Sequence, residues 1–268
     1  LYLVLAYGLA WLFWIPVALT GQDYQASPLL LLVTLVGVFG PGLAGIILTY
    51  AKEGQEGRRD FWRRAFDVRR IRPRWAVLIV VLWPTLHAVG IALSRLLGAP
   101  MPDPPLLREL AAQPVTIPVV LVLYLVQAGL EELGWRGYML PRVQPAWGPL
   151  VGSLIVGIFH ALWHLPTFWI VGTNQIEMGF GVDFVLFVAM ATSLSFYWTW
   201  CYNDNRGSTL AVTLLHWTSN LCVDLCTDGP GTTAFRLHVL LTVLGAVGIG
   251  ALWARRDSAH ELIQGAGA

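Results

Sequence analysis

The chain has 268 residues, of which 56% are apolar and only 12% charged, with a mean hydropathy of +0.62 and a formal net charge of +1. A soluble domain carries about a quarter charged residues, so this composition excludes an ordinary soluble globular protein and points to the bilayer. Thirteen tryptophans fit the same picture, because amphipathic rings gather at membrane interfaces.

Crossing roughly 30 Å of hydrocarbon takes about twenty apolar residues in a helix. Such runs lie near 1–20, 28–50, 74–98, 117–140, 149–171, 182–202, 208–225 and 235–254. They predict an all-α, polytopic membrane protein of about eight transmembrane helices, forming a single domain over 1–268. The first run has no basic flank and no small-residue cleavage site, so it reads as a span rather than a signal peptide. Turn signals separate the runs, including Gly21-Gln22-Asp23, Gly98-Ala99-Pro100 and Asp228-Gly229-Pro230-Gly231. Cys201, Cys222 and Cys226 have no metal-ligand spacing and read as small apolar residues.

Basic residues set the expected orientation. Lys52, Arg58, Arg59, Arg63, Arg64, Arg69, Arg70, Arg72 and Arg74 follow the second run. With eight spans, Arg136, Arg142, Arg206, Arg255 and Arg256 join them on one side, leaving Arg95, Arg108 and Arg236 on the other. This asymmetry predicts a multi-pass membrane protein with both termini cytoplasmic. The 52–74 segment, with Phe61, Trp62, Phe66 and Trp75 interleaved, reads as an amphipathic helix on anionic lipid and not as a nucleic-acid site.

Ionisable groups inside spans cost at least about 2.5–3.5 kcal/mol on insertion scales and are candidates for function. Glu132 and Arg136 stand four apart and can pair on one helix face. Glu131, about 100° around the helix, is left to face a neighbour. His160 and His164 share a face of the fifth run. His216, Asn220 and Asp224 form a stripe on the seventh. His87 reads as a helix–helix hydrogen-bonding group, Arg95 as a snorkelling side chain, and Asp224 as a group reaching the far interface. A carboxylate and an imidazole can hold and deprotonate a water that attacks a carbonyl. An imidazole and a carboxamide can donate to the oxyanion that results.

The run Glu131-Glu132-Leu133-Gly134-Trp135-Arg136 matches an EExxxR motif, Ala161-Leu162-Trp163-His164 ends an FxxxH-like motif, and His216-x-x-x-Asn220 supplies a third, in order and on separate spans. On these residues, over about 121–225, the sequence resembles the CPBP intramembrane metalloprotease-like family, which includes CAAX prenyl protease 2 enzymes and bacterial Abi or bacteriocin-immunity proteins. The resemblance implies a glutamate-dependent intramembrane endopeptidase. Glu131 and His164 would activate water, His216 with Asn220 would form the oxyanion hole, and Glu132 and Arg136 would support the site. The substrate would be a membrane-associated peptide or a lipidated protein, prenylated CAAX proteins being the best-known type in the family. His160 stands where the motif has Phe, which leaves it as a packing residue, a water ligand or a metal ligand.

No metal or other cofactor is expected. No H-E-x-x-H occurs, and His160-x-x-x-His164 has zinc-compatible spacing without an obvious third ligand. Two other readings stay open: a proton-coupled transporter, since Glu and His chains also relay protons in membranes, and a catalytically silent immunity or scaffold protein of the same fold. Membrane lipids surround the chain in all three.

Overall fold

The computed structural model describes residues 1–265, with side chains described through Arg255; Arg256, counted above with the basic face, lies outside the described side chains. Among the described residues the regular structure is helical: α1 (Tyr2–Thr20), α2 (Pro28–Gly37), α3 (Gly40–Lys52), α4 (Gln55–Phe66), α5 (Pro73–Leu96), α6 (Pro105–Ala112), α7 (Ile117–Gly134), α8 (Leu140–Trp163), α9 (Asn174–Met178), α10 (Val182–Asp204), α11 (Thr209–Cys226) and α12 (Thr233–Gly265).

By length and apolarity, five helical segments can cross a membrane: Tyr2–Thr20, Pro73–Leu96, Pro114–Trp169, Val182–Asp204 and Thr233–Arg255. The α2–α3 pair, bent by 45°, makes a sixth if counted as one span. The all-helical membrane architecture holds, whereas the figure of about eight is not reproduced by this measure. One reason is that 117–140 and 149–171 merge into one helical run. Another is that the 208–225 run is α11, whose His216, Asn220 and Asp224 lower its apolarity.

Close backbone approach aligns the helices that carry the motifs. The buried residues of α1, Tyr2, Ala6, Ala10, Trp14 and Val17, recur every three or four positions and turn one stripe toward α3. Next, α3 meets α7 through glycine. A Cβ on Gly42 would lie 2.4 Å from the Leu130 carbonyl oxygen, and one on Gly134 would lie 2.3 Å from that of Pro41. Lipid offers little hydrophobic drive for helices to associate, so small residues that admit close van der Waals contact set the pairing. This contact fixes the end of α7 that bears Glu131 and Glu132. Beyond it, Trp135–Met139 forms a π-helical turn, and α8 breaks at Gly148, whose φ of 71° only glycine adopts freely.

The tryptophans do more than line interfaces. Trp14, Trp75, Trp83, Trp135, Trp163 and Trp198 are each at most 2% exposed and fill the core between helices. Nor does His87 bond across helices as expected. Its ring stacks on His238 at 3.7 Å and 10° between α5 and α12, with no hydrogen-bond partner on either nitrogen. Arg95 is exposed and donates to the Ala99 carbonyl at 2.6 Å.

The basic segment forms α4 as expected, with Phe61 and Ala65 buried, but several of its arginines bind protein. Arg64 donates to the Gly137 carbonyl (3.0 Å) and the Tyr202 hydroxyl (2.9 Å). Arg72 and Arg74 pair with Asp204. Arg59 and Arg63 remain exposed for lipid or solvent.

Gly134→Ala should lower thermal stability in detergent by about 1–3 kcal/mol through overpacking against Pro41. Gly8→Ala, where a Cβ meets nothing within 4 Å, should be neutral or mildly stabilising. Melting curves of the two variants check the contact.

Candidate active site

Adjacent residues on α7 send two carboxylates in different directions. Glu132, fully buried, accepts from Arg136 Nη1 at 3.1 Å and from His216 Nδ1 at 2.9 Å, both through Oε1. Arg136, also fully buried, donates from Nη2 to Ser195 Oγ at 2.8 Å and sits 4.7 Å over the Trp198 ring. One ion pair thus ties α7 and the π turn to α10 and α11. Because a carboxylate only accepts, His216 uses its Nδ1 proton on Glu132 and presents Nε2 elsewhere.

Glu131 is 2% exposed and contacts His160, whose Nε2 lies 2.8 Å from Oε2. The His160 ring is stacked near Trp135 (5.1 Å, 24°) and lies 5.6 Å from that of Trp198. The position that matched Phe only loosely therefore holds a direct partner of Glu131, and His164 is not the residue bonded to it. His164 instead closes α8, where Pro166 stops the helix. Its Nδ1 is 3.1 Å from the His160 carbonyl, which can only accept, so Nε2 is left as a lone-pair donor. Two bonds from α1 steady this end of α8: Tyr7 Oη to the Phe159 carbonyl (2.6 Å) and Trp11 Nε1 to the Trp163 carbonyl (2.9 Å). Of the two, the Trp163 carbonyl is one that the helix end leaves unpaired.

Glu131, His160, His164, His216 and Asn220 all line one cavity of about 570 Å³. His216 stacks on Trp198 at 4.3 Å. Asn220 follows it by one turn of α11 and is half-buried, with Ser219 beside it. Asp224 does not end at a bare interface: it accepts from the Tyr124 hydroxyl at 2.5 Å and lines the same cavity. Ser195, Trp198 and Tyr124 went unnoticed in the sequence. The one available signal was Ser195 and Trp198 spaced three apart on a helix that joins the motif helices.

A metal can be tested against these donors. Glu131, His160 and His164 each offer one ligand atom, all within 4.8 Å of one another. That spread is compatible with one water bridging Glu131 and His164. A tetrahedral zinc, with bonds of about 2.0–2.1 Å, would draw its ligands to about 3.3 Å, and Glu131 would have to exchange its His160 bond for it. The donor set meets the count for zinc, while its present bonding suits water.

Residues 113–222 match the family model for type II CAAX prenyl endopeptidase Rce1-like proteins, the stretch that carries all three motifs. The chain is also 25% identical over 252 residues, 92% of each chain, to CAAX prenyl protease 2 of Methanococcus maripaludis. Fold, cavity and comparisons together define a membrane-embedded peptidase. Within that class, the chain is similar to the Rce1-like proteins over residues 113–222.

Arg136→Met should cost about 3–5 kcal/mol of stability, because it strands the Glu132 charge in the core. Adding Glu132→Gln should restore part of the loss, since no charge is then left alone. Thermal unfolding of the single and double variants in detergent measures the difference.

Proposed function

We propose that this peptidase is a glutamate-dependent intramembrane endopeptidase that uses no metal and cleaves a membrane-associated substrate through a water activated by Glu131 and His164. The observation that carries this reading is the pairing of lone pairs in the cavity. His164 Nε2 has no proton to give once Nδ1 bonds the His160 carbonyl, and Glu131 retains an oxygen beyond its bond to His160. A water between them loses its proton to Glu131 as its oxygen attacks the scissile carbonyl. His160 donates Nε2–H to Glu131 and holds the carboxylate's orientation.

Across the cavity, the Asn220 amide donates to the oxyanion. His216 joins it only as a doubly protonated ring, because its neutral form has committed the Nδ1 proton to Glu132. The oxyanion is then the counter-ion for that imidazolium, since Glu132 already neutralises Arg136. Such preorganised donors act in a water-poor site where each is worth more than in bulk solvent. Collapse of the tetrahedral intermediate returns a proton from Glu131 to the leaving amine, which balances the cycle.

The M. maripaludis relative is called a CAAX prenyl protease, which supports a substrate cleaved near its C-terminus, prenylated or otherwise held at the membrane. The basic face formed by 52–74 supports cytoplasmic termini. Similarity to CAAX peptidases favours the peptidase reading over the transporter one.

Glu131→Gln keeps the side-chain shape and removes the base. Purified in detergent and assayed on a fluorogenic panel of prenylated CAAX, unprenylated and transmembrane peptides, it should lose at least 10²-fold in kcat. Wild-type cleavage should persist in EDTA and 1,10-phenanthroline. Equal cleavage by both proteins refutes the role of Glu131, and loss in chelator moves the site to the metal reading.

A further inference from the structure

The face of α10 that turns away from the catalytic cavity floors a second recess. Both α8 and α12 pack on α10 but scarcely touch each other, and the furrow left between them measures about 830 Å³. Leu154 and Ile158 of α8 form one wall and Val247 and Ala251 of α12 the other, all of them exposed. Small side chains, Ala189 and Ser193, lie one turn apart on its floor.

Two hydroxyls on that floor are unbonded. Ser193 is only 8% exposed, lines the furrow and forms no hydrogen bond among the described residues. Beside it, Thr192 Oγ1 is buried without a partner. A hydrocarbon tail offers such groups nothing, and an unpaired polar group at membrane depth is costly. The furrow therefore suits a protein surface that carries polar atoms of its own.

This chain has such a surface on α5. Its outward face exposes Thr85, Ala88 and Ala92, spaced three and four apart. Thr85 forms no hydrogen bond among the described residues. Pro84 has no N–H to give the Val80 carbonyl four residues back, and Val80 is 64% exposed. Small residues let helix backbones approach, and hydroxyls bond across the contact. The depths agree as well. Arg74, at the start of α5, pairs with Asp204, at the end of α10, which sets the two helix ends level. Thr85 stands eleven residues in from Arg74 and Ser193 eleven in from Asp204, about 17 Å deep in each case.

We infer that the furrow between α8 and α12 is the interface of a two-fold dimer, in which each copy seats its α5 face in the furrow of the other. Helix α12 packs on α10 along one flank and on α5 along the other. A two-fold axis along the membrane normal, in front of α12, thus exchanges α5 and furrow between copies. Such a contact is isologous and closes at two. The Ser193 and Thr192 hydroxyls then meet the Thr85 hydroxyl and the Val80 carbonyl. An unrelated helix would need that match of depth and polarity by chance, whereas a copy in the same membrane has it by symmetry.

The experiment places the full-length protein in liposomes and counts subunits by single-molecule photobleaching over a range of protein-to-lipid ratios. Two-step bleaching should grow with density. Ala189→Trp, which fills the floor, should weaken dimerisation about 10-fold or more through overpacking. Val119→Trp, at an exposed site on α7, should leave it unchanged. Melting curves of both variants are compared with the parent. The pairing is read separately by mixing differently tagged Thr85→Cys and Ser193→Cys proteins. On mild oxidation they should form a mixed disulfide, identified by peptide mapping so that Cys201, Cys222 and Cys226 are told apart from it.

Single-step bleaching at every density, dimers indifferent to Ala189→Trp, or absence of the mixed disulfide would each overturn the inference. Monomers that retain a phospholipid in native mass spectrometry, and lose it in Ala189→Trp, would assign the furrow to an acyl chain instead. Cleavage does not enter any readout, so the outcome is independent of the catalytic assignment.

Discussion

A charge carried into a low-dielectric interior must be cancelled where it stands, and the Glu132–Arg136 pair meets that constraint for the whole centre of the molecule. Both side chains are fully buried, and neither could hold its charge without the other. The hydrogen bonds left over fall to His216 on α11 and Ser195 on α10, so cancelling one charge also ties three helices together. The Trp198 face covers the guanidinium and stacks on His216, excluding water from the pair. Buried pairs of this kind add little net stability against an apolar core of the same shape. Their retention here follows from geometry, because they fix where Glu131 and His216 stand.

Helix packing supplies the rest of that precision. The glycine contact between α3 and α7 holds the helix at the depth where its acidic pair meets α8 and α11. The π turn after Gly134 adds one residue per turn and carries Arg136 back onto Glu132, while burying Trp135 against His160. Irregular backbone is tolerated at membrane depth where protein covers it, and Trp135–Met139 is buried throughout. The aromatic residues of α1 fasten the end of α8, so the two histidines of that helix rest on a fixed strut.

Helices and motif residues were legible in the sequence because hydrocarbon enforces long apolar runs and makes each intramembrane charge conspicuous. Glu131, Glu132, Arg136, His160, His164, His216 and Asn220 all stood out for that reason, and the structure brings all seven into one neighbourhood. Pairing was less legible, since it depends on the rotation of one helix against another. Spacing gave the Glu132–Arg136 contact within a helix, but it could not say that His160 rather than His164 bonds Glu131. Ser195 stayed hidden because it is one uncharged hydroxyl among Thr192, Ser193 and Thr199 on the same helix. Tryptophan misled in a different way: its count matched an interfacial belt, yet the large rings fill gaps between helices at the core. The count of about eight is not reproduced at α11, because the stripe of His216, Asn220 and Asp224 makes that helix less apolar.

Two neighbouring carboxylates thus acquire opposite roles from backbone geometry alone. A step of one residue turns the side chain by about 100°, enough to send Glu132 toward an arginine and Glu131 toward an imidazole at the cavity wall. Were both to face Arg136, no carboxylate of α7 would line the cavity. Were both to face the cavity, two like charges would share it and the arginine would be stranded. Splitting them leaves the structural charge neutralised and the cavity-facing carboxylate bonded to a ring that can only share a proton. The Glu-Glu doublet with arginine four residues on is therefore read as one device: its second acid holds the helices in place while its first faces the cavity.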